Sequence, residues 1–298
     1  MIILESHKVS ELESNIRLSD YLPGKLKSIP TRKGIKKAIV KGQVLLNHLV
    51  GKTGDFVKEG DLIQLLDIQE QAPKAYDLDL EVLYEDDFLA IINKPAGVSV
   101  SGNQFKTIQN ALIGSIQGSK QEDKLAWPKP VHRLDSATSG LLVIAKTYNA
   151  MIRLGEQFSR KEINKTYHAI VIGETDNQGK IETAIEGQNA LTKFVLKERV
   201  PSLRNEYLSL LEVTLETGRT HQIRIHLSGI GHPIFGDKLY GKKGEIFKGK
   251  GLFLAATKIE FKHPILSELV AIEIEIPHKF ISLLRREQRR WDAKNEED

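Results

Sequence analysis

The residues best equipped for chemistry lie in three stretches. In residues 132–146, HRLDSATSGLLVIAK, Asp135 stands two positions after Arg133 and just before Ser136, Thr138, Ser139 and Gly140. Small hydroxyl residues closed by a glycine read as a tight polar loop, and Leu141, Leu142, Val143 and Ile144 read as the buried strand that follows. A carboxylate held rigidly at the mouth of a core strand can serve as a nucleophile or a proton carrier. The same composition also makes an ordinary turn, in which Asp caps its own backbone. The second stretch, KTYHAIVIG at 165–173, carries Tyr167, either an aromatic platform or a core residue of a strand. The third, GRTHQIRIHLSGIGHPIFGDKLYG at 218–241, carries Arg224, either a partner for a carboxylate or a helix-surface arginine.

Composition limits what these residues can be part of. The 298-residue chain has 40% hydrophobic residues, enough for one large and one small domain. It has no Cys, which excludes disulfides, thiolate nucleophiles and thiolate metal sites and suits a reducing compartment. His221, His226 and His232 lack the HExxH spacing and read as structural or as facing a binding partner rather than as ligands, and no Gly-rich nucleotide motif is present, so neither a metal nor a cofactor is expected. The start, MIILESHKVSELES, lacks the marks of a signal peptide and no apolar run approaches the ~20 residues that span a bilayer; a cytoplasmic location is expected.

The net charge of +4 is unevenly spread. Residues 21–54 contain no Asp or Glu but hold Lys25, Lys27, Arg32, Lys33, Lys36, Lys37, Lys41 and Lys52. A solvated face normally mixes both signs, so this block reads as a footprint for a polyanion, the alternative being a charged solubilising cap.

The elements that must position these groups follow from pattern. A short helix is expected over 16–22, ended by Pro23-Gly24, and a second from an N-cap at Thr31 to about Lys41, with Ile35, Ala38 and Ile39 inward and Lys33, Lys36, Lys37 and Lys41 outward. Strands at 44–47 and 62–65 flank a turn at 58–61. Residues 1–68 thus form a small module, 69–79 a linker and 80–298 the larger domain. In that domain strands are expected at 80–83, 88–92, 141–144, 165–172, 191–200, 206–217, 253–261 and 269–276, and helices at 107–116, 149–160 and 280–291. Residues 127–130 read as a loop, and Thr220 as the cap of a helix with Ile223, Leu227 and Ile230 on one face and Arg224 and Ser228 on another. Alternation of Leu211, Val213 and Leu215 with Glu212, Thr214 and Glu216 argues an antiparallel sheet with one wet face. The fold class is α+β, with a mostly antiparallel mixed central sheet behind a small α/β-hairpin module.

In the first module, RKGIKKAIVKGQVLLN and KEGDLI resemble the alpha-L RNA-binding domain first described in a ribosomal protein, over about fifty residues. In the larger domain NKPAG, HRLDSATSG, KTY, GRTHQIRIHL and GHPIFGDKLYG resemble, in order and spacing, the motifs of the RluA-type RNA pseudouridine synthases. The resemblance implies that Asp135 is the catalytic carboxylate, that Arg133 enters the RNA to help expel the target uridine, that Tyr167 stacks on the flipped base and that Arg224 pairs with Asp135. Lys94 matches a basic position of the family whose role stays open, and is grouped as RNA-binding with Arg133 and with Arg32, Lys33, Lys36, Lys37 and Lys41 of the basic block. Ser101 and Ala255 stand where relatives often show His, which bears on the subfamily and on the uridine modified.

The implied reaction accounts for these residue types. Converting uridine to pseudouridine breaks the bond from ribose to ring nitrogen, turns the uracil in place and rebonds it through a ring carbon, with no net gain or loss of atoms. One ionised carboxylate at the sugar and an aromatic platform for the flipped base suffice, and a nearby guanidinium keeps a partly buried carboxylate charged. Large-subunit ribosomal RNA is the expected substrate, with transfer RNA as the alternative and a monomer as the expected state. A non-catalytic RNA-binding or ribosome-assembly factor would have no physical need for the carboxylate–guanidinium pair. A glycoside hydrolase would need a second flanking carboxylate, and none sits in a comparable loop.

Overall fold

The computed structural model describes residues 2–10, 15–67, 73–241 and 250–297. The chain divides into two compact units, Met1–Gln71 and Ala72–Asp298.

The first unit runs β1 (Ile2–Lys8), β2 (Ile16–Arg17), α1 (Leu18–Tyr21), α2 (Arg32–Val40), β3 (Val44–Leu46), β4 (Leu49–Val50), β5 (Phe56–Val57) and β6 (Leu62–Asp67). Its sheet has the order β1-β6-β3-β4, antiparallel throughout, with β2 and β5 paired separately. Strand β1 was not anticipated, and the helix expected over 16–22 is shorter: Ile16 and Arg17 give their backbone to Val57 and Phe56, so only Leu18–Tyr21 is helical. Helix α2 forms for the reasons its sequence suggests. The Thr31 hydroxyl accepts the Gly34 N–H at 3.1 Å, Ile35, Ala38 and Ile39 are buried, and Gly42 ends the turn at φ 70°. Burying a side chain such as Ile35 contributes about 1.5–3 kcal/mol, and it leaves Lys33, Lys36, Lys37 and Lys41 on the exposed side.

The second unit runs β7 (Glu81–Glu85), β8 (Leu89–Lys94), α3 (Ile108–Ser115), β9 (Lys124–Pro130), β10 (Ser139–Thr147), α4 (Tyr148–Ser159), β11 (Asn164–Ile172), β12 (Gln178–Ile181), β13 (Thr192–Ser202), β14 (Glu206–Leu215), α5 (Gln222–Gly229), β15 (Leu254–Lys262), β16 (Leu269–Glu273) and α6 (His278–Glu297). One sheet has the order β12-β13-β14-β11-β15-β10-β8-β7, with β16 beside β15 and β9 beside β10. Every ladder is antiparallel except β10–β15, so the fold is α+β on a mostly antiparallel sheet. Residues 127–130, read as a loop, belong instead to β9. The alternation there is masked by two prolines, of which Pro130 sits opposite Ile144.

Strand β10 is central and buried on both faces, which is why its sequence is continuously apolar. Leu142 and Ile144 point into one core with residues of α3, α5 and α6, while Leu141 and Val143 point into another with Leu154 of α4. The expected wet face appears on the far half of the sheet, where Glu212 and Lys197 lie 3.4 Å apart and Glu216 meets Lys193 at 2.5 Å.

Candidate active site

Two elements bring the polar residues together. The first is the 131–138 loop from β9 to β10. Leu134 is buried beneath it, the Thr138 N–H donates to the Asp135 carbonyl at 3.0 Å, and the Gly97 N–H donates to Ser136 O at 2.7 Å. His132 anchors its start by accepting the Val143 N–H on Nε2 at 3.0 Å, with its ring against Phe158. That acceptor role requires a neutral ring, and burial, reinforced by the Lys165 charge, lowers the His132 pKa to about 3. Gly140 ends the loop at φ +111°. A Cβ there would lie 2.1 Å from Ala256 O, so only glycine lets β10 approach β15 in the parallel register.

The second element is α5 and the turns around it. The pattern predicts a cap at Thr220; the structure puts it at His221, in the left-handed region at φ 56° and without a side-chain cap bond. The Gln222 side chain instead ties the turn before the helix to residues 191 and 192 at the start of β13. Its Oε1 accepts from Thr217 Oγ1 at 2.7 Å and from the Arg219 N–H at 3.0 Å, and its Nε2 donates to Leu191 O at 2.9 Å. The helix stops at Gly229, so Ile230 is exposed rather than on the inner face. His226 is a core residue between Thr192 Oγ1 and Thr183 O, and His232 meets Ile172 O at 3.1 Å.

Arg224 of α5 joins these elements. Its Nη1 donates to Asp135 Oδ2 at 3.1 Å, while Nε and Nη2 form a two-pronged pair with Asp237 at 2.7 and 2.8 Å. Burial alone would lower the Arg224 pKa. Asp237 first, and Asp135 second, hold it above its usual value. Asp237 is fully buried, and although burial would raise its pKa, Arg224 and the Leu239 and Tyr240 N–H groups hold it below the usual carboxylate range. Asp135 keeps 17% of its side chain exposed. One carboxylate is thus sealed behind the guanidinium and the other faces solvent.

His221 completes the ring of contacts. Its Nε2 lies 3.6 Å from Asp135 Oδ2, and its Nδ1 is 3.0 Å from the Tyr240 hydroxyl, whose ring packs under the Arg224 guanidinium.

Asp135 sits where two clefts meet. One, of about 750 Å³, is lined by Tyr167, Lys165, His221 and Leu254, the other, of about 770 Å³, by residues 96–101, Asp237 and Leu252; Arg133, Asp135, His221 and Arg224 border both. Tyr167 is buried on β11, and that burial, with the Asp135 charge, raises its pKa. Arg133 is exposed at the rim. Among the described residues no group of three or more His, Asp or Glu is placed to hold a metal ion.

Lys94 does not belong with the RNA-contacting residues. It is fully buried, and its ammonium donates to the carbonyls of Pro95 and Val98 at 2.8 Å and of Ser136 at 3.2 Å, so it pins the NKPAG turn to the 131–138 loop. Burial lowers its pKa to about 8. In the first unit Arg32 is already engaged by Asp20 at 2.6 Å. The sequence pattern gives no role to Asp237 and reads His221 only as structural or RNA-facing. Both lie inside quoted motifs, GDKLYG and GRTHQIR, where a density of polar residues in an otherwise apolar stretch was the available signal.

A solvent-facing carboxylate held by a buried guanidinium at the junction of two open clefts has the make-up of an enzyme site. Residues 88–229 match the family described as RNA pseudouridylate synthase. The chain is 34% identical over 288 residues to "Ribosomal large subunit pseudouridine synthase D" of Xylella fastidiosa, covering 85% of this chain and 84% of that protein. It is 32% identical over 305 residues to "Ribosomal large subunit pseudouridine synthase C" of Haemophilus influenzae, covering 93% of each. The solved structure of "Human RNA Pseudouridylate Synthase Domain Containing 1" shares the fold, with a TM-score of 0.55 and 22% identity over 70% of this chain and 95% of that one. The chain belongs to the RNA pseudouridylate synthase family and, within it, to the RluA type. It is an isomerase that makes pseudouridine in RNA.

Proposed function

We propose that the enzyme modifies large-subunit ribosomal RNA, through Asp135, on a uridine flipped out of the RNA. The observation that carries the chemical part is the Asp135–Arg224–Asp237 chain, which presents one charged, solvent-facing carboxylate at the junction of the clefts. Asp135 acts at the sugar, by attack or by proton transfer, as the nitrogen–ribose bond breaks. The freed uracil turns within the 750 Å³ cleft beside Tyr167, rebonds through its ring carbon, loses the proton from that carbon and gains one on the ring nitrogen. A base inside folded RNA cannot reach this depth while stacked, so it enters extruded, with the exposed Arg133 at the rim placed to fill the space it leaves. The ribosomal substrate is supported by the printed names of the relatives from Xylella fastidiosa and Haemophilus influenzae. The first unit adds affinity through the exposed lysines of α2, as its resemblance to a ribosomal-protein RNA-binding domain suggests.

The test is Asp135→Asn, which keeps volume and removes charge. Turnover should fall below about one thousandth of wild type while RNA binding persists. Carbodiimide mapping of pseudouridine in total RNA from cells with wild-type or variant enzyme identifies the substrate. A lost site in transfer RNA alone would overturn the ribosomal assignment, and full turnover by the variant would overturn the role of Asp135.

A further inference from the structure

The catalytic unit carries a basic surface of its own, on α6, that none of the motifs above accounts for. The inner face of this helix is made by Phe280, Leu283 and Leu284, which are buried, and by Glu287, which is buried and accepts from Ser202 Oγ at 2.8 Å. At 100° per residue the opposite face carries His278, Ser282, Arg285, Arg286 and Arg289, a stripe about 16 Å long. His278 and the three arginines are exposed. Some other exposed cations of this unit are paired with carboxylates, as in Lys180–Glu182, Lys193–Glu216 and Arg290–Glu287. Among the described residues Arg285, Arg286 and Arg289 form no ion pair, and Asp292, the next residue along this face, is taken by the Gln288 amide at 2.8 Å.

At the head of the stripe lies a pocket of about 360 Å³, where Lys250, His278, Lys279, Ser282 and Arg286 converge over Phe253 with no acidic residue in its lining. The pocket adjoins the active site. Lys279 Nζ donates at 2.7 Å to the carbonyl of Leu252, and Gly251 and Leu252 line the second catalytic cleft. A strand of nucleic acid leaving that cleft past residues 250–253 meets these cations next. Guanidinium groups suit phosphodiesters because they offer paired donors and keep their charge, and a cluster of exposed cations on one face draws a polyanion to it.

We propose that this face of α6, with the Lys250–Lys279–Arg286 pocket at its head, holds phosphates of the RNA backbone flanking the target uridine. The inference rests on RNA as the substrate, not on the role of Asp135.

The test uses the full chain and a labelled transcript of large-subunit ribosomal RNA, with pseudouridine formation read in parallel. Arg285→Gln/Arg286→Gln/Arg289→Gln removes three charges while keeping residues of good helix propensity, and circular dichroism checks the fold. The slope of log affinity against log salt should become shallower by roughly 2–3, at about 0.7–0.9 per phosphate contact. At low salt the loss should appear as a rise of at least about tenfold in KM, with kcat within about threefold. The matching three-lysine variant, which keeps the charge, should stay within one unit of the wild-type slope. A folded glutamine variant with wild-type affinity and slope would overturn the proposal and leave the surface to solvent or to another macromolecule. So would a lysine variant as impaired as the glutamine one, since the effect would then not be charge. Pseudouridine formed in either case would leave the enzymatic assignment intact.

Discussion

Replacing Asp237 by Asn tests whether the site depends on a carboxylate that never meets solvent. The substitution is close to isosteric, but the two-pronged pair with Arg224 needs two acceptors, at 2.7 and 2.8 Å, and an amide offers one. If the carbonyl keeps the Leu239 and Tyr240 N–H groups, the NH2 is pushed against Arg224 Nε, donor against donor. Removing one partner of a buried pair costs 3–5 kcal/mol, and because Asp135 still holds Nη1, the lower end, about 3 kcal/mol, applies. For a unit of this size that lowers Tm by roughly 6–12 °C. Arg224 also loses the support that aims it at Asp135, so kcat should drop by up to about 100-fold. Acidity gives a second reading. Asp237 has its pKa lowered by folding, so its contribution is complete above the unfolded value near ~3.9 and is lost as pH falls through the folded one. The stability gap between wild type and variant should therefore be flat from pH 8 to 5 and narrow below about pH 4. Urea unfolding across this range, with turnover at pH 7, measures both. A gap under about 1 kcal/mol at neutral pH, or one that widens in acid, would refute the reasoning.

Three further outcomes are expected. Tyr167→Phe keeps the ring that lines the cleft and should retain most RNA affinity, whereas Tyr167→Ala should lose turnover and, through its buried position, about 3 kcal/mol of stability; normal turnover by both folded variants would remove Tyr167 from the site. His132 is neutral when folded, with a pKa near 3, so the unfolded chain takes up its proton first and stability falls as pH drops below 6.5. From pH 8 to 5 this one ring should cost about 2 kcal/mol, a slope that His132→Gln should remove in denaturation experiments. Neutralising Lys33, Lys36 and Lys37 together should make the salt slope of RNA binding shallower by roughly 2–3 with kcat nearly unchanged; an unchanged slope would assign that helix face to solvent.

What could be read ahead of the structure was what depends on local pattern. The Thr31 cap, the apolar spacing of α2 and the unbroken apolar run of β10 are each set by neighbours in sequence, and each formed as expected. The misses depend on long-range partners. A strand at 124–130 was hidden because its prolines look like a loop until β10 supplies the edge they tolerate. The turn at 218–221 points to Thr220, while the side chain that ties the turn down is Gln222, reaching to Leu191 and Thr192, some thirty residues away. Lys94 illustrates the same limit: a lysine beside a Pro-Gly turn looks solvent-facing, and only the convergence of three carbonyls makes it a buried staple. Asp135, Tyr167 and Arg224, which the structure brings around one cleft, stand out in sequence because their motifs are specific. Asp237, which holds Arg224 in place, was not, because its importance lies in a contact rather than in its type.

The position of β15 has a consequence for the order in which the protein comes into being. This strand lies between β10, which leads out of the Asp135 loop, and β11, which carries Tyr167, yet it is made more than eighty residues after either. On a growing chain, which folds as it emerges, the carboxylate and the aromatic ring therefore belong to two half-sheets with no strand to join them. Arg224 and Asp237 also emerge before the joining strand does. Activity should then switch on as a single late event, when residues 254–262 leave the ribosome and close the sheet, rather than accumulate gradually during synthesis. Truncated nascent chains ending before residue 254 should be inert whatever their affinity for RNA.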